Sequence, residues 1–145
     1  MALYESQAVS NNLKRRTSAR VAPEQIVRFA QALPTEDRLL LERRFEDGLT
    51  VTDIARRSRR SANTISRRID RLTRRISSPE FRFTLLYQDK LPRTMRRTAT
   101  LLFIQGRSLR ETARLTQKTL HRVRCDRAML QTLARVQAIG GIDAH

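Results

Sequence analysis

The chain carries the same series of helix-starting and helix-ending residues twice, at a constant offset of 58 residues. Leu33-Pro34 recurs as Leu91-Pro92, and Gly48 recurs as Gly106. The other positions that recur in kind at this offset are Phe45 and Phe103, Thr50 and Ser108, Asp53 and Glu111, Ala55 and Ala113, Ser61 and Thr119, Ile65 and Val123, and Leu72 and Leu130. Because both the helix boundaries and the core positions recur, the sequence predicts two divergent copies of one folding unit.

The second copy departs from the first at two apolar positions. Thr112 replaces Ile54, and Arg127 replaces Ile69. A charged residue on the apolar stripe of a helix weakens the packing of that helix. We therefore expect the first unit to follow the pattern more closely than the second.

Each unit is predicted to be helical, because its apolar residues recur at helical spacing. In the first unit the helices are expected to begin at Pro23, at an N-cap on Thr35, at Thr50 and at an N-cap on Ser61. Their expected core residues are Ile26, Val27, Phe29, Ala30 and Leu33; Leu39, Leu41 and Phe45; Val51, Ile54 and Ala55; and Ile65, Ile69, Leu72 and Ile76. With 4 Gly and 4 Pro in 145 residues, the chain lacks the turn residues of an all-β fold, so we predict an all-α fold.

The charge of the chain points to a polyanionic partner. Lys and Arg number 30 against 14 Asp and Glu, which gives a net charge of +16. This charge favours nucleic acid first and an anionic membrane surface only distantly. All basic residues except Lys14, Lys90 and Lys118 are Arg, whose planar fork suits bidentate contacts to phosphate and guanine. A G+C-rich genome would explain the choice of Arg over Lys but not the net charge.

The helical pattern divides the chain into three segments. Residues 1–21 are polar and basic without a helical stripe, which predicts a flexible arm. Such an arm can enter the minor groove of DNA, although a disordered start without a role explains the composition as well. Residues 22–77 form the first unit. Residues 78–145 form the second unit, with an apolar helix from Pro79 to about Asp89 and a short C-terminal tail.

The sequence lacks the residues that several classes of function require. Cys125 is the single cysteine, so neither an internal disulfide nor a cysteine-based metal cluster can form. His121 and His145 are too few for a histidine metal site. Because no nucleophile motif or Gly-rich phosphate loop is present, we expect no enzymatic activity and no cofactor. The sequence shows no signal peptide or membrane span, so we expect a cytoplasmic, nucleoid-associated protein with no membrane partner.

The segment from Thr50 to Ile76 predicts a short helix, a tight turn and a longer basic helix, the pattern of a DNA-binding helix-turn-helix. The wider segment from Leu33 to Ile76 resembles region four of bacterial sigma factors, which reads the −35 promoter element. The matching elements are Leu33-Pro34, Leu39 to Leu41, Gly48, Thr50 to Ala55, and Ser61 to Ile65. The repeat then implies two tandem helix-turn-helix units of three or four helices each.

Two features depart from the sigma pattern. Ser58-Arg59-Arg60 stands where the family usually has Leu-Gly-Ile/Val, so the turn is more basic and less firmly packed. Nothing in the chain resembles the aromatic-rich region two, which binds the polymerase core. A complete sigma factor is therefore not expected.

The longer helix of the first unit places a polar face opposite its apolar stripe. At about 100° per residue this face presents Asn63, Arg67, Asp70, Arg71 and Arg74. Asn63 suits an adenine edge and Arg67 a guanine edge. The resemblance implies that Ala62, Asn63 and Arg67 face bases and that Ser66 faces the backbone, so both arguments agree on Asn63 and Arg67.

Further arginines, Arg56, Arg57, Arg59 and Arg60, flank the start of this helix and are best placed for phosphates. The complete set of predicted DNA-binding residues is Thr52, Arg56, Arg59, Arg60, Ser61, Ala62, Asn63, Ser66, Arg67, Arg71, Arg74, Lys118, His121, Arg122 and Arg124. In the second unit the residues at the positions that correspond to the base-facing ones are less suited to contacts with base edges. Assembly with a second subunit or with polymerase is therefore a rival role for that unit.

These observations predict a sequence-specific double-stranded DNA-binding transcriptional regulator of the sigma region-four type. Two alternatives stay open: a polymerase-associated, partial sigma-like factor, and a phage- or recombinase-type DNA-organising protein with little sequence preference. An RNA-binding role is disfavoured, since no aromatic platform for stacking bases is visible. RNA polymerase and a second copy of the chain, paired through the apolar helix at 79–89, are further candidate partners.

Overall fold

The computed structural model describes residues 22–143. The predicted arm at residues 1–21 lies outside the described residues. Within the described range the chain is helical without a β-strand, which confirms the all-α prediction. The helices are α1 (Pro23–Ala30), α2 (Thr35–Phe45), α3 (Val51–Ser58), α4 (Ala62–Ser77), α5 (Pro79–Tyr87), a 3₁₀ turn (Gln88–Lys90), α6 (Arg93–Ala99), a π-helical turn (Thr100–Ile104), α7 (Leu109–Thr116) and α8 (Leu120–Asp143).

One of the two predicted helix caps is confirmed and one is wrong. Ser61 accepts a hydrogen bond from the backbone N–H of Thr64 at the start of α4, as predicted. Thr50, predicted as the start of a helix, is the residue that caps α3. Thr35 is instead the first residue of α2, and Pro34 occupies the cap position without a side-chain hydrogen bond. The carbonyl of Pro34 accepts the first helical bond, from Arg38 at 2.9 Å. The helix therefore starts one residue too early for the Thr35 hydroxyl to cap it.

A first core joins α1 to α4. The predicted stripe of α4 is confirmed, because Ile65, Ile69, Leu72 and Ile76 are all buried. The prediction for α2 was wrong at Leu39, which is 37% exposed, while Leu40 and Leu41 are buried. Three consecutive leucines span about 200° of a helix, so at most two of them share the buried face.

A second core lies between α6 and α8 and contains Leu91, Met95, Ala99 and Leu130. Helix α5 takes part in both cores: Phe81 is fully buried in the first, and Phe83 packs against the second. The connection before α5 is short, and the Ser78 side chain bonds to backbone groups on both sides of it. The apolar helix predicted at 79–89 is therefore used largely inside the protein, although Leu86 remains 70% exposed.

The segments 48–62 and 106–120 have the same backbone geometry. Gly48 and Gly106 have φ angles of 70° and 68°, and Arg59 and Gln117 have φ angles of 55° and 56°. Helices α3 and α7 each have eight residues, at the same 58-residue offset. The cap at Thr50 recurs at Ser108, whose hydroxyl accepts a hydrogen bond from the Glu111 N–H at 3.1 Å. The sequence repeat therefore corresponds to a repeat in local structure.

The interiors of the two units differ where the sequence differs. Ile54 is buried in the first core, whereas its counterpart Thr112 is fully buried with no hydrogen-bond partner for its hydroxyl among the described residues. The inward position predicted for Arg127 is taken by Asp126, which is 4% exposed, while Arg127 is only partly buried. Helix α8 continues to Asp143, so the expected C-terminal tail is helical over the described residues.

The side chain of Arg75 in the first unit contacts the second unit. The Arg75 guanidinium, at the end of α4, lies against Gly106 in the turn before α7 and donates to the Ile104 carbonyl at 3.4 Å. Burial lowers the pKa of the Arg75 guanidinium. A methyl group added at Gly106 would overlap the guanidinium of Arg75, so the end of that flexible side chain would have to move.

A matched pair of glycine substitutions tests this contact. Gly48→Ala and Gly106→Ala both force a side chain into a positive φ, which costs about 1–2 kcal/mol. Gly48 has open space around it, whereas Gly106→Ala also displaces Arg75. We expect Gly106→Ala to lower the Tm further than Gly48→Ala in thermal unfolding followed by circular dichroism. In an Arg75→Ala background the two losses should become equal; a difference that persists there would show that the Arg75 contact is not its cause.

Candidate nucleic-acid interface

The junction between α3 and α4 is closed by an arginine in the left-handed conformation. Arg59 has φ 55° and ψ 39°, and the Arg60 N–H donates to the Ala55 carbonyl at 3.0 Å. Arg59 occupies the middle of Ser58-Arg59-Arg60, where the sigma pattern has its glycine. A non-glycine residue in this conformation stores about 1–3 kcal/mol of strain. The turn thus keeps the geometry that a glycine would favour but adds an exposed cation.

The starts of α3 and α4 are held by side-chain caps. The Thr50 hydroxyl accepts from the Asp53 N–H at 3.1 Å and donates to the Asp53 carboxylate at 2.8 Å. Hydrogen bonds from the Thr50 side chain and backbone lower the pKa of Asp53. Ser61 accepts from the Thr64 N–H at 3.1 Å. Asp53 therefore acts as a helix-capping acid, as its place in the first turn predicts.

The structure brings the predicted base-facing residues together at the start of α4. Ala62, Asn63 and Arg67 are exposed, and so is Ser66. The buried stripe lies on the other side of the same helix and packs into the first core. The predicted two faces of α4 are therefore present, with the polar one open to a ligand.

The arginines near this junction fall into two groups. Seven exposed ones have no side-chain hydrogen bond or ion pair to any residue that the structure describes: Arg56, Arg57, Arg59, Arg60, Arg67, Arg71 and Arg74. Arg68 faces α2 instead, where its guanidinium lies 2.8 Å from Asp37 and 3.5 Å from Glu36. The hydrogen bond to Asp37 raises the pKa of Arg68. Acidic residues thus bind the inward arginine, and the outward group keeps its charge available.

Thr52, on the exposed side of α3, and Ser61, the cap of α4, complete the predicted set in the first unit. Both lie within one helical turn of residues in the unpaired arginine group. The first unit therefore gathers all of its predicted DNA-binding residues around α3, the turn and α4.

In the second unit the predicted residues are not equally placed. His121, Arg122 and Arg124 are exposed near the start of α8. The Lys118 ammonium turns inward, where it donates to the Asp126 carboxylate at 2.8 Å and to the Thr98 hydroxyl and the Thr94 carbonyl at 2.9 Å. These three bonds use all donors of the ammonium group, which leaves none for a phosphate. The structure therefore gives Lys118 a role inside the protein.

The sequence reasoning missed this buried ion pair, although one signal was present. Asp126 lies three residues after Val123 and four before Leu130, which puts it on the buried stripe of α8. An acid at such a position needs a cation nearby. Lys118 supplies it, and the guanidinium of Arg122 lies 3.4 Å from the same carboxylate.

Two other kinds of site were sought in residues 22–143, a metal site and a membrane-spanning helix. No group of three or more His, Cys, Asp and Glu side chains in that range is placed to hold a metal ion. Over the same residues, no helix has the length and apolar character to cross a membrane. Comparison with known proteins finds no matching family model, no similar curated protein and no similar solved structure.

Proposed function

We propose that this protein binds double-stranded DNA in a sequence-specific manner, as a transcriptional regulator of the sigma region-four type. The observation that carries the proposal is the group of exposed, unpaired arginines around the α3–α4 junction, with Asn63 and Arg67 on the face opposite the buried stripe. A solvated surface helix usually pairs its exposed arginines with acids. On α4 the inward Arg68 has acidic partners, whereas Arg67, Arg71 and Arg74 have no side-chain ion pair to a residue that the structure describes. Phosphates are the partners that such arginines fit.

The mechanism follows from the geometry of α4. The helix has 16 residues and a length of about 24 Å. Its first turns can therefore enter the major groove while its buried stripe packs against the first core. Arg67 then binds a guanine edge and Asn63 an adenine edge. Arg56, Arg59 and Arg60 contact the phosphates on either side of the groove and fix the register of the protein.

Sequencing of genomic DNA fragments captured by the purified protein tests this function. Capture is carried out at about 150 mM salt, where non-specific phosphate binding is weak. A shared sequence motif near promoters is the expected result. Uniform capture without a motif would contradict sequence-specific binding and favour a DNA-organising role.

The roles of two arginines are separable by mutation. Arg67→Ala should remove about 1–3 kcal/mol of discrimination at one base pair of the motif. Arg59→Ala should weaken binding to all sequences alike and reduce the salt slope by about 1. Fluorescence anisotropy on a panel of duplexes, each with one base pair changed, measures both effects. Arg28→Ala, on the exposed side of α1, is the control of equal charge. The assignment of roles is wrong if Arg67→Ala and Arg59→Ala act identically across the panel.

Because Arg59 closes the turn in the left-handed conformation, we expect its replacement by glycine to raise stability and weaken DNA binding. Arg59→Gly relieves the positive φ and should raise the free energy of unfolding by about 1 kcal/mol, while DNA binding weakens. Gln117→Gly makes the matched change in the second unit and should add similar stability without loss of binding. Urea unfolding and anisotropy on the same samples measure the two quantities. Stability that falls in both variants would contradict the strain at these turns.

A polymerase-associated role is the second candidate, and one observation favours it. Leu86 on α5 and Met129, Val136 and Ile139 on α8 are each more than half exposed. By helical spacing Met129, Val136 and Ile139 share one face of α8, and an exposed apolar face is typical of protein–protein contacts. Retention of core RNA polymerase on the immobilised protein, in the absence of DNA, would support this candidate.

A further inference from the structure

The second unit is more strongly basic than the first. Residues 91–137 contain eleven basic residues and two acids, whereas residues 33–77 contain twelve basic residues and seven acids. Both acids of residues 91–137 already bind cations: Glu111 lies 2.7 Å from Arg107, and Asp126 lies 2.8 Å from Lys118. The remaining basic side chains of this segment therefore have no acid within it to neutralise them.

The positions that would read bases are lost in the second unit. At the 58-residue offset, Leu120 replaces Ala62, His121 replaces Asn63 and Cys125 replaces Arg67. His121 and Cys125 approach each other, with 3.6 Å between the ring nitrogen Nε2 and Sγ. None of the three replacements offers the bidentate fork of Arg or Asn that distinguishes one base pair from another.

Two positions beside them gain a positive charge and a third keeps one. Arg110 and Arg124 stand where the first unit has Thr52 and Ser66, and Arg114 stands where it has Arg56. All three are exposed, without a hydrogen bond or ion pair to other residues in the described part of the chain. Arg110 and Arg114 were not among the residues that the sequence analysis selected.

The contact between Arg75 and Gly106 fixes this surface relative to the first unit. It holds the turn before α7, and with it the start of that helix, against the far end of α4. Ile104, from the same turn region, is buried in the first core. The two units are therefore packed together, and the exposed arginines of the second unit keep a fixed position relative to α4.

We propose that the second unit binds the phosphate backbone of the same duplex, through Arg110, Arg114 and Arg124, without reading its bases. This inference rests on the proposed function of the first unit. It assigns specificity to the first unit alone and gives the second unit a share of the affinity. The repeat has thus diverged into one unit that reads sequence and one that holds the backbone.

Two triple variants of the full chain test the inference. Arg110→Gln/Arg114→Gln/Arg124→Gln removes the three proposed contacts. Arg93→Gln/Arg97→Gln/Arg135→Gln removes the same charge from exposed, unpaired positions that correspond to Thr35, Leu39 and Ser77, outside the predicted interface. Binding is measured between 50 and 200 mM salt, on a duplex with the captured motif and on a scrambled duplex.

The first triple variant should flatten the slope of log K against log salt by about 2–3, at about 0.9 per lost phosphate contact, and equally on both duplexes. The control triple should change the slope by less than about 1. Circular dichroism verifies that both variants remain folded. The preference for the motif over the scrambled duplex should stay unchanged in both.

Three results would overturn the inference. Equal slopes in the two triple variants would show that only diffuse charge matters, and an unchanged slope in the first would show that its arginines do not touch phosphates. A loss of preference for the motif would show that the second unit reads bases. In each of these cases the wild-type preference for the motif would leave the proposed function standing. Absence of wild-type binding to either duplex at 50 mM salt would overturn the proposed function, and the inference with it.

Discussion

Asp126→Ala should lower the free energy of unfolding by about 3–5 kcal/mol, because it leaves a buried cation without its counter-ion. Asp126 is 4% exposed, and its carboxylate lies 2.8 Å from the Lys118 ammonium. After the substitution Lys118 would keep its bonds to Thr94 and Thr98 but lose its neutralising charge. Urea unfolding followed by circular dichroism measures the loss.

Two further variants make this prediction specific. Glu111→Ala removes an ion pair that is about one-third to one-half exposed and should cost less than about 1 kcal/mol. The double variant Asp126→Ala/Lys118→Met removes both buried charges and should regain much of the stability lost in Asp126→Ala. A loss below 1 kcal/mol in Asp126→Ala would mean that water or a rearranged Arg122 neutralises the lysine.

DNA binding by the whole protein should be very sensitive to salt. Six arginines are proposed to contact phosphates: Arg56, Arg59, Arg60, Arg110, Arg114 and Arg124. At about 0.9 per contact, six contacts give a slope near −5 in a plot of log K against log salt. Affinity for a duplex should therefore fall by about 10³ between 50 and 200 mM salt. Anisotropy titrations with a labelled duplex measure this directly.

A shallow slope would be equally informative. A fall of less than about tenfold over the same range would leave one or two phosphate contacts at most. The exposed arginines would then have to serve another partner, and the polymerase-associated role would become the better account. A scrambled duplex serves as the control, because the phosphate term is independent of sequence and should give nearly the same slope.

Features that depend on neighbouring residues could be predicted from the sequence. The stripe of α4, the caps at Thr50 and Ser61 and the turns at Gly48 and Gly106 each follow from residue types within a few positions of one another. The boundaries of the repeat follow from the same signals. Sequence therefore predicted the fold class and the two faces of α4.

Features that depend on distant residues could not be predicted in the same way. Lys118 binds Thr94 and Thr98, which lie 24 and 20 residues before it, so its inward direction is set by tertiary packing. The place of Arg75 against Gly106 likewise depends on how the units dock. The three leucines of α2 were ambiguous, because helical spacing alone does not say which pair faces the neighbouring helices. The site in the first unit was accessible to sequence reasoning since it lies within one continuous segment.

The polar interior of the second unit also has a consequence for how the chain folds. Repeats with similar helices can exchange them during folding, and misassembly of this kind is a known failure of repeat proteins. Here an exchange would be costly in both directions. Helix α7 in the first core would place the smaller side chain of Thr112 in the space that Ile54 fills, and α4 in the second unit would leave Lys118 without Asp126. The different core residues of the two units thus disfavour the exchange of helices between them.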